Sequence, residues 1–212
     1  TNLLLHLANT ALVMFLVRLL VTGAWVPFAV ALLFGIHPAH VESVAWAAER
    51  KDVLYAFFYL ASFILYLLRQ GRAWAYPSSL FLFLCALLSK PMAVTLPLAL
   101  LLADYLKEGG WGLRQLKNKA PYFVLAALFA AIQLSAGSGQ PPAWFWPGRL
   151  VTPLYTLGFY VYTLLWPFDL SAMYVTAPGG RAGLYAIAAA TGLLLLLLAR
   201  FFREDREIVF GA

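Results

Sequence analysis

Two histidines, two glutamates, an arginine, a lysine and an aspartate fall within one stretch, His37-Pro38-Ala39-His40-Val41-Glu42-Ser43-Val44-Ala45-Trp46-Ala47-Ala48-Glu49-Arg50-Lys51-Asp52. Only 11% of the chain is charged, so this density singles the stretch out. Glu42, Glu49 and Asp52 are the carboxylates able to take or give a proton. Arg50 is the strongest anion binder of the set, because a guanidinium makes planar, bidentate bonds to phosphate and stays charged. Lys51 adds charge beside it or snorkels toward headgroups. Asp52 stands where it can cap a helix starting at Val53, with catalysis as the alternative. Pro38 suits a first helical turn. A helix over Pro38–Ala48 would then set Glu42, Trp46 and Glu49 on one face, with His37 just before it and His40 one turn on. Imidazole and carboxylate suit zinc or manganese. The spacing of His37, His40 and Glu42 is nevertheless not that of a zinc-protease helix, and His6 is isolated in an earlier apolar run. Hydrogen bonding to an anionic substrate, or ordering of the loop, is the preferred use of His37 and His40. No cofactor is assigned, and a divalent metal stays open.

Lys90, between an apolar run and Pro91, is a second candidate cation. With Arg50 and Lys51 it would bind a lipid phosphate; alone it would only snorkel. Asp104 and Tyr105, at the end of the following run, are read as structural.

The elements that must position these groups are apolar. Hydrophobic residues make up 63% of the chain, more than a soluble domain of 212 residues can bury. They come in runs: Leu3–Val21, Ala24–Ile36, Val53–Leu68, Trp74–Leu88, Met92–Leu106, Pro121–Ala136, Leu150–Trp166 and Leu184–Phe202. Most approach the ~20 residues that a helix needs to cross a bilayer. The expected fold is therefore all-α, a polytopic transmembrane bundle of about seven or eight helices, with membrane lipids as its solvent. Basic residues gather at Arg69 and Arg72, at Lys107, Arg114, Lys117 and Lys119, and at Arg200, Arg203 and Arg206, as in cytoplasmic loops. That assignment places His37–Asp52 and Ser89–Pro91 together on the external face. To keep the last cluster inside, Leu150–Trp166 is expected to re-enter or lie at the interface, with Pro153 and Gly158 breaking it and Asp169 external. Trp111, Trp144 and Trp146 fit the headgroup level.

Several function classes are disfavoured. The net charge of +6 is not arranged as a basic stripe with interleaved aromatics, so nucleic acid is not a partner. Phosphate-loop, nucleophile-elbow and His-Glu-x-x-His motifs are absent. The single Cys85 allows no internal disulfide. Charged residues are scarce in the middles of the runs, which leaves a transporter without the usual markers of an ion pathway.

The strings HPAHVESVAWAAERKDVLYAFFYLASFILYL, LSKPMAVTLPLALLLADY and LLWPFDLSAMY resemble the membrane part of bacterial polytopic proteins that continue into tetratricopeptide repeats. Those are similar to the eukaryotic transmembrane-and-TPR protein O-mannosyltransferases and to GT-C glycosyltransferases. The resemblance implies a GT-C-like membrane enzyme at the external face of a bacterial inner membrane. It implies transfer of a sugar, here mannose, from a polyprenyl-phosphate donor to a protein or glycan acceptor, with inversion. Arg50 and Asp52 match the place near the lipid phosphate, and Lys90 matches a later basic position. The chain would then be a transmembrane-domain segment, 1–212, lacking a first span, a first external loop with its acidic residue, and the C-terminal repeats. The competing readings are a non-catalytic module that anchors or assembles partners, and a lipid or solute transporter.

Overall fold

The computed structural model describes residues 1–108, 113–136, 151–165, 167, 183 and 185–194. The chain divides into two compact units, Thr1–Gly137 and Ser138–Ala212. All regular structure among the described residues is helical. In the first unit run α1 (Asn2–Leu20), α2 (Trp25–Ile36), the short α3 (Val41–Ala45), α4 (Arg50–Leu67), α5 (Ala75–Ser89), α6 (Leu96–Glu108) and α7 (Leu113–Ala136). Single 3-10 turns occupy Pro38–His40, Ala47–Glu49 and Pro91–Thr95. The second unit holds α8 (Val151–Leu165) and α9 (Tyr185–Leu194).

Each apolar run of the sequence overlaps one of these helices, but the ends differ. Pro91 turns the start of the Met92–Leu106 run into a 3-10 segment, so α6 begins only at Leu96. The basic stretch expected as a loop after residue 106 is largely helical instead, since α6 continues to Glu108 and α7 starts at Leu113. In the second unit α8 is unbroken through Pro153 and Gly158. Gly158 serves close packing there: a Cβ on it would lie 1.9 Å from Thr191 Oγ1 and 2.9 Å from Ile187 Cγ2.

Alternation of direction brings α4 and α5 together as an antiparallel hairpin about Gly71, whose φ of +79° suits the missing Cβ. Midway along it, Ser62 Oγ donates to the Ser79 carbonyl at 2.7 Å and Ser79 Oγ donates to the Ser62 carbonyl at 2.6 Å. Tyr122 on α7 donates its hydroxyl to Ser79 Oγ at 2.7 Å, so these buried polar groups are satisfied. Around them pack Tyr66, Phe83, Leu87, Leu96, Leu100 and Tyr122.

The first helix is turned inside out. Its three buried residues are polar, Asn2, His6 and Asn9, one stripe at steps of four and three. Its leucines face outward, Leu4 being 70% exposed. By length and composition α1 is the one described helix apolar enough to cross a membrane alone. α2 qualifies only with the following residues to Ala45, across a 50° bend. Of the expected seven or eight spans, one is thus a clear candidate among the described residues. Helix α5 is shorter than the ~20 residues a perpendicular span needs, and α4 opens on the charged triplet Arg50-Lys51-Asp52.

Candidate functional site

The charged stretch folds as three short pieces, not as the single expected helix over Pro38–Ala48. Trp46 adopts extended backbone, φ −89° and ψ 121°, and ends α3. The helical face that would have joined Glu42, Trp46 and Glu49 is therefore broken at its middle residue. A new 3-10 turn follows at Ala47–Glu49, and α4 starts at Arg50. His37 begins the stretch: its Nδ1 accepts from the Ala39 amide at 3.2 Å, which caps the Pro38 turn.

Side chains of α1 hold this broken stretch in place. The Asn2 amide nitrogen donates to the carbonyls of Trp46 at 3.0 Å and Ser43 at 3.3 Å. Its Oδ1 accepts from Arg50 Nε at 3.3 Å, while Thr1 Oγ1 accepts from Arg50 Nη2 at 3.1 Å. One turn on, the His6 Nε2 lies 3.0 Å from the Gly35 carbonyl. Two turns on, the Asn9 amide donates to the Val53 carbonyl on α4 at 2.8 Å. None of Thr1, Asn2 or Asn9 stood out in the sequence; their only signal is polarity just before or inside an apolar run.

Arg50 and Lys90 take different positions at this end of the unit. Asp52 lies in the first turn of α4, where the helix dipole favours its charge. Its carboxylate accepts from Lys90 Nζ at 2.7 Å rather than capping the helix, whose N-cap is Glu49. The α4 start and the α5 end are thereby tied together. Arg50 is exposed and spends two of its five N–H donors on Thr1 and Asn2. Lys51 reaches back to Glu49 at 3.6 Å across the surface. Glu42 is exposed on α3.

The histidines gather, and His6 joins them. The His40 ring lies 5.2 Å from His6, 6.1 Å from His37 and 4.4 Å from Phe34, centroid to centroid. Burial first, then the neighbouring His6 and His37, hold the His40 imidazolium below the usual histidine range. Its Nδ1 is buried without a hydrogen-bond partner. Among the described residues no group of three or more His, Cys, Asp or Glu side chains is placed to hold a metal ion.

A second polar cluster lies at the opposite end of the bundle, where the sequence suggested loop charges at Arg69 and Lys119 and a structural Asp104. Asp104 on α6 accepts from the Tyr66 hydroxyl at 2.7 Å and from Arg69 Nη2 at 3.3 Å, and it pairs with Lys119 on α7. Lys119 is fully buried, and the Arg69 guanidinium stacks 3.8 Å over the Tyr66 ring. The structural role read for Asp104 is the one this packing gives it. A surface cavity of about 350 Å³ near the α1–α2 turn is lined by Met14, Arg18, Ala24, Trp25, Pro27 and Phe28, and by none of the candidate site residues. Trp111, Trp144, Trp146, Asp169, Arg200, Arg203 and Arg206 lie outside the described residues.

No family model matches the chain, and no solved structure does. Curated relatives are found among protein O-mannosyl-transferases. Tmtc2 of Drosophila melanogaster is 31% identical over 194 residues, covering 80% of this chain and 20% of the relative. Tmtc1 of the same organism is 34% identical over 111 residues, 51% of this chain and 13% of the relative. Human TMTC1 is 32% identical over 153 residues, 66% of this chain and 16% of the relative. The chain is thus homologous to these protein O-mannosyl-transferases and spans about a fifth, or less, of their length.

Proposed function

We propose that the chain is the core of a membrane glycosyltransferase whose site lies at the α1–α4–α5 end of the first unit. It moves a sugar, mannose in this reading, from a polyprenyl-phosphate donor to a protein acceptor. The observation that carries the proposal is the first turn of α4. That turn presents Arg50 outward while Lys90 holds Asp52 beside it at 2.7 Å. Homology to protein O-mannosyl-transferases supports the reaction class. The inverted character of α1, polar within and apolar without, supports a lipid surround. In this reading further helices complete a polytopic, GT-C-like bundle, and the site faces outward from the membrane.

The chemistry assigned to each group follows from its surroundings. The acceptor hydroxyl oxygen attacks the anomeric carbon, the carbon–oxygen bond to the lipid phosphate breaks, and polyprenyl phosphate leaves. Negative charge grows on that phosphate, where preorganised cations lower the barrier most. Arg50 takes this role with the N–H groups that Thr1 and Asn2 leave over, and the Lys90–Asp52 pair fixes the neighbouring surface. A base must accept the hydroxyl proton. Asp52 is engaged by Lys90 and Glu49 by Lys51, so Glu42 on α3 is the carboxylate we assign to it. His37 and His40 order the loop that carries Glu42.

The test is release of polyprenyl phosphate from polyprenyl-phosphate mannose by the full-length protein in lipid vesicles. Arg50→Ala is expected to lower turnover by about a hundredfold, the scale seen on losing one stabilising donor, with the thermal midpoint little changed. Unaltered turnover in that variant would remove the role given to Arg50.

A further inference from the structure

We infer that Asn2 is the positioning residue for Arg50, a role that rests on the proposed anion-binding function of that arginine. Asn2 is 7% exposed and makes three hydrogen bonds to three different places in the charged stretch. Its amide nitrogen fastens the backbone at Ser43 and at Trp46, the residue where the helical path breaks. Its oxygen takes the Nε–H of Arg50, four residues beyond that break. A guanidinium on an exposed first helical turn samples many rotamers, and its fork binds phosphate well only in one orientation. The Nε–H bond to Asn2, beside the Nη2 bond to Thr1, fixes the guanidinium plane and leaves three N–H groups for an anion. Asn2 thus does for Arg50 what a second hydrogen-bonding layer does for a metal ligand: it sets direction while another residue makes the contact.

The same helix supplies a control. Asn9 lies on the same buried stripe and likewise donates to a backbone carbonyl, that of Val53 on α4, yet it makes no bond to Arg50. Loss of Asn9 should loosen the α1–α4 contact without turning the guanidinium. If Asn2 acts only as a structural tie, the two asparagines should behave alike. If it positions Arg50, they should part.

The experiment is a double-mutant cycle on binding of a polyprenyl monophosphate by the full-length protein in nanodiscs. The variants are Asn2→Ala, Arg50→Ala, the pair together, and Asn9→Ala. With Arg50 present, Asn2→Ala is expected to weaken binding about tenfold, equivalent to roughly 1.4 kcal/mol. In the Arg50→Ala background the same change should have less than a twofold effect, and Asn9→Ala should stay within twofold of wild type. Should Asn2→Ala fail to fold, Asn2→Ser carries the same comparison. Equal weakening in both backgrounds, or weakening by Asn9→Ala as strong as by Asn2→Ala, would make Asn2 a structural tie and overturn the inference. Wild-type affinity in Asn2→Ala alongside weak binding in Arg50→Ala would overturn it while leaving the site intact. Wild-type affinity in Arg50→Ala itself would remove the site, and the inference with it.

Discussion

Lys90 and Asp52 show how far residue type and spacing carry a reading. Both stood out in the sequence, the lysine for its charge beside a proline and the aspartate for its place at a helix start. Their pairing across 38 positions of chain did not, because only the α4–α5 hairpin brings them to 2.7 Å. The pair is about a quarter exposed, so its contribution to stability is small, on the order of 1 kcal/mol or less. Lys90→Met is therefore expected to leave the thermal midpoint nearly unchanged while lowering sugar transfer at least tenfold. A variant that keeps full transfer would reduce the pair to a surface tie. His40 offers a test by pH. Burial and the nearby His6 and His37 depress its folded value, so the neutral ring is the form that the fold favours. The stability it contributes is complete above about pH 6.5 and is lost as pH falls through that ordinary value toward its lower folded one. Thermal unfolding across pH 7 to 5 should show a slope that flattens in His40→Gln; an unchanged slope would locate the acid sensitivity elsewhere.

At the scale of elements, apolar runs in the sequence mark where helices lie and say less about where they stop. Trp46 breaks the stretch that proline and spacing suggested would be one helix, because Asn2 on a different helix takes up the Trp46 and Ser43 carbonyls. No local pattern in residues 37–52 reports that distant donor. Asp104 and Lys119 teach the same lesson at the opposite end. The lysine read as a loop charge is fully buried in α7, joined to an aspartate on α6 and, through it, to Arg69 after α4. Removing one partner of such a buried group leaves an uncompensated charge and costs about 3–5 kcal/mol. Asp104→Asn should lower the unfolding midpoint sharply, whereas Asp104→Leu with Lys119→Met should recover much of the loss. Equal destabilisation by the single and double variants would mean that packing rather than charge governs this junction.

For the whole molecule, the exposed apolar surface is the feature that bears on its surroundings. Trp25, Leu33, Ile36, Phe81, Leu88, Val124 and Leu134 are all more than half exposed, and they are spread over α2, α5 and α7. Soluble monomers rarely leave so much large apolar surface uncovered. The polar groups of α1 point inward against that background, and the two charged clusters sit at opposite ends of the α4–α5 hairpin. The most direct measurement is transfer of labelled mannose to protein by the full-length molecule in sealed vesicles, with polyprenyl-phosphate mannose offered from the external side. Wild-type protein is expected to label an acceptor, and folded Arg50→Ala and Glu42→Gln to label it at least a hundredfold more slowly. Labelling at the wild-type rate by both folded variants would contradict a transferase site at residues 37–52.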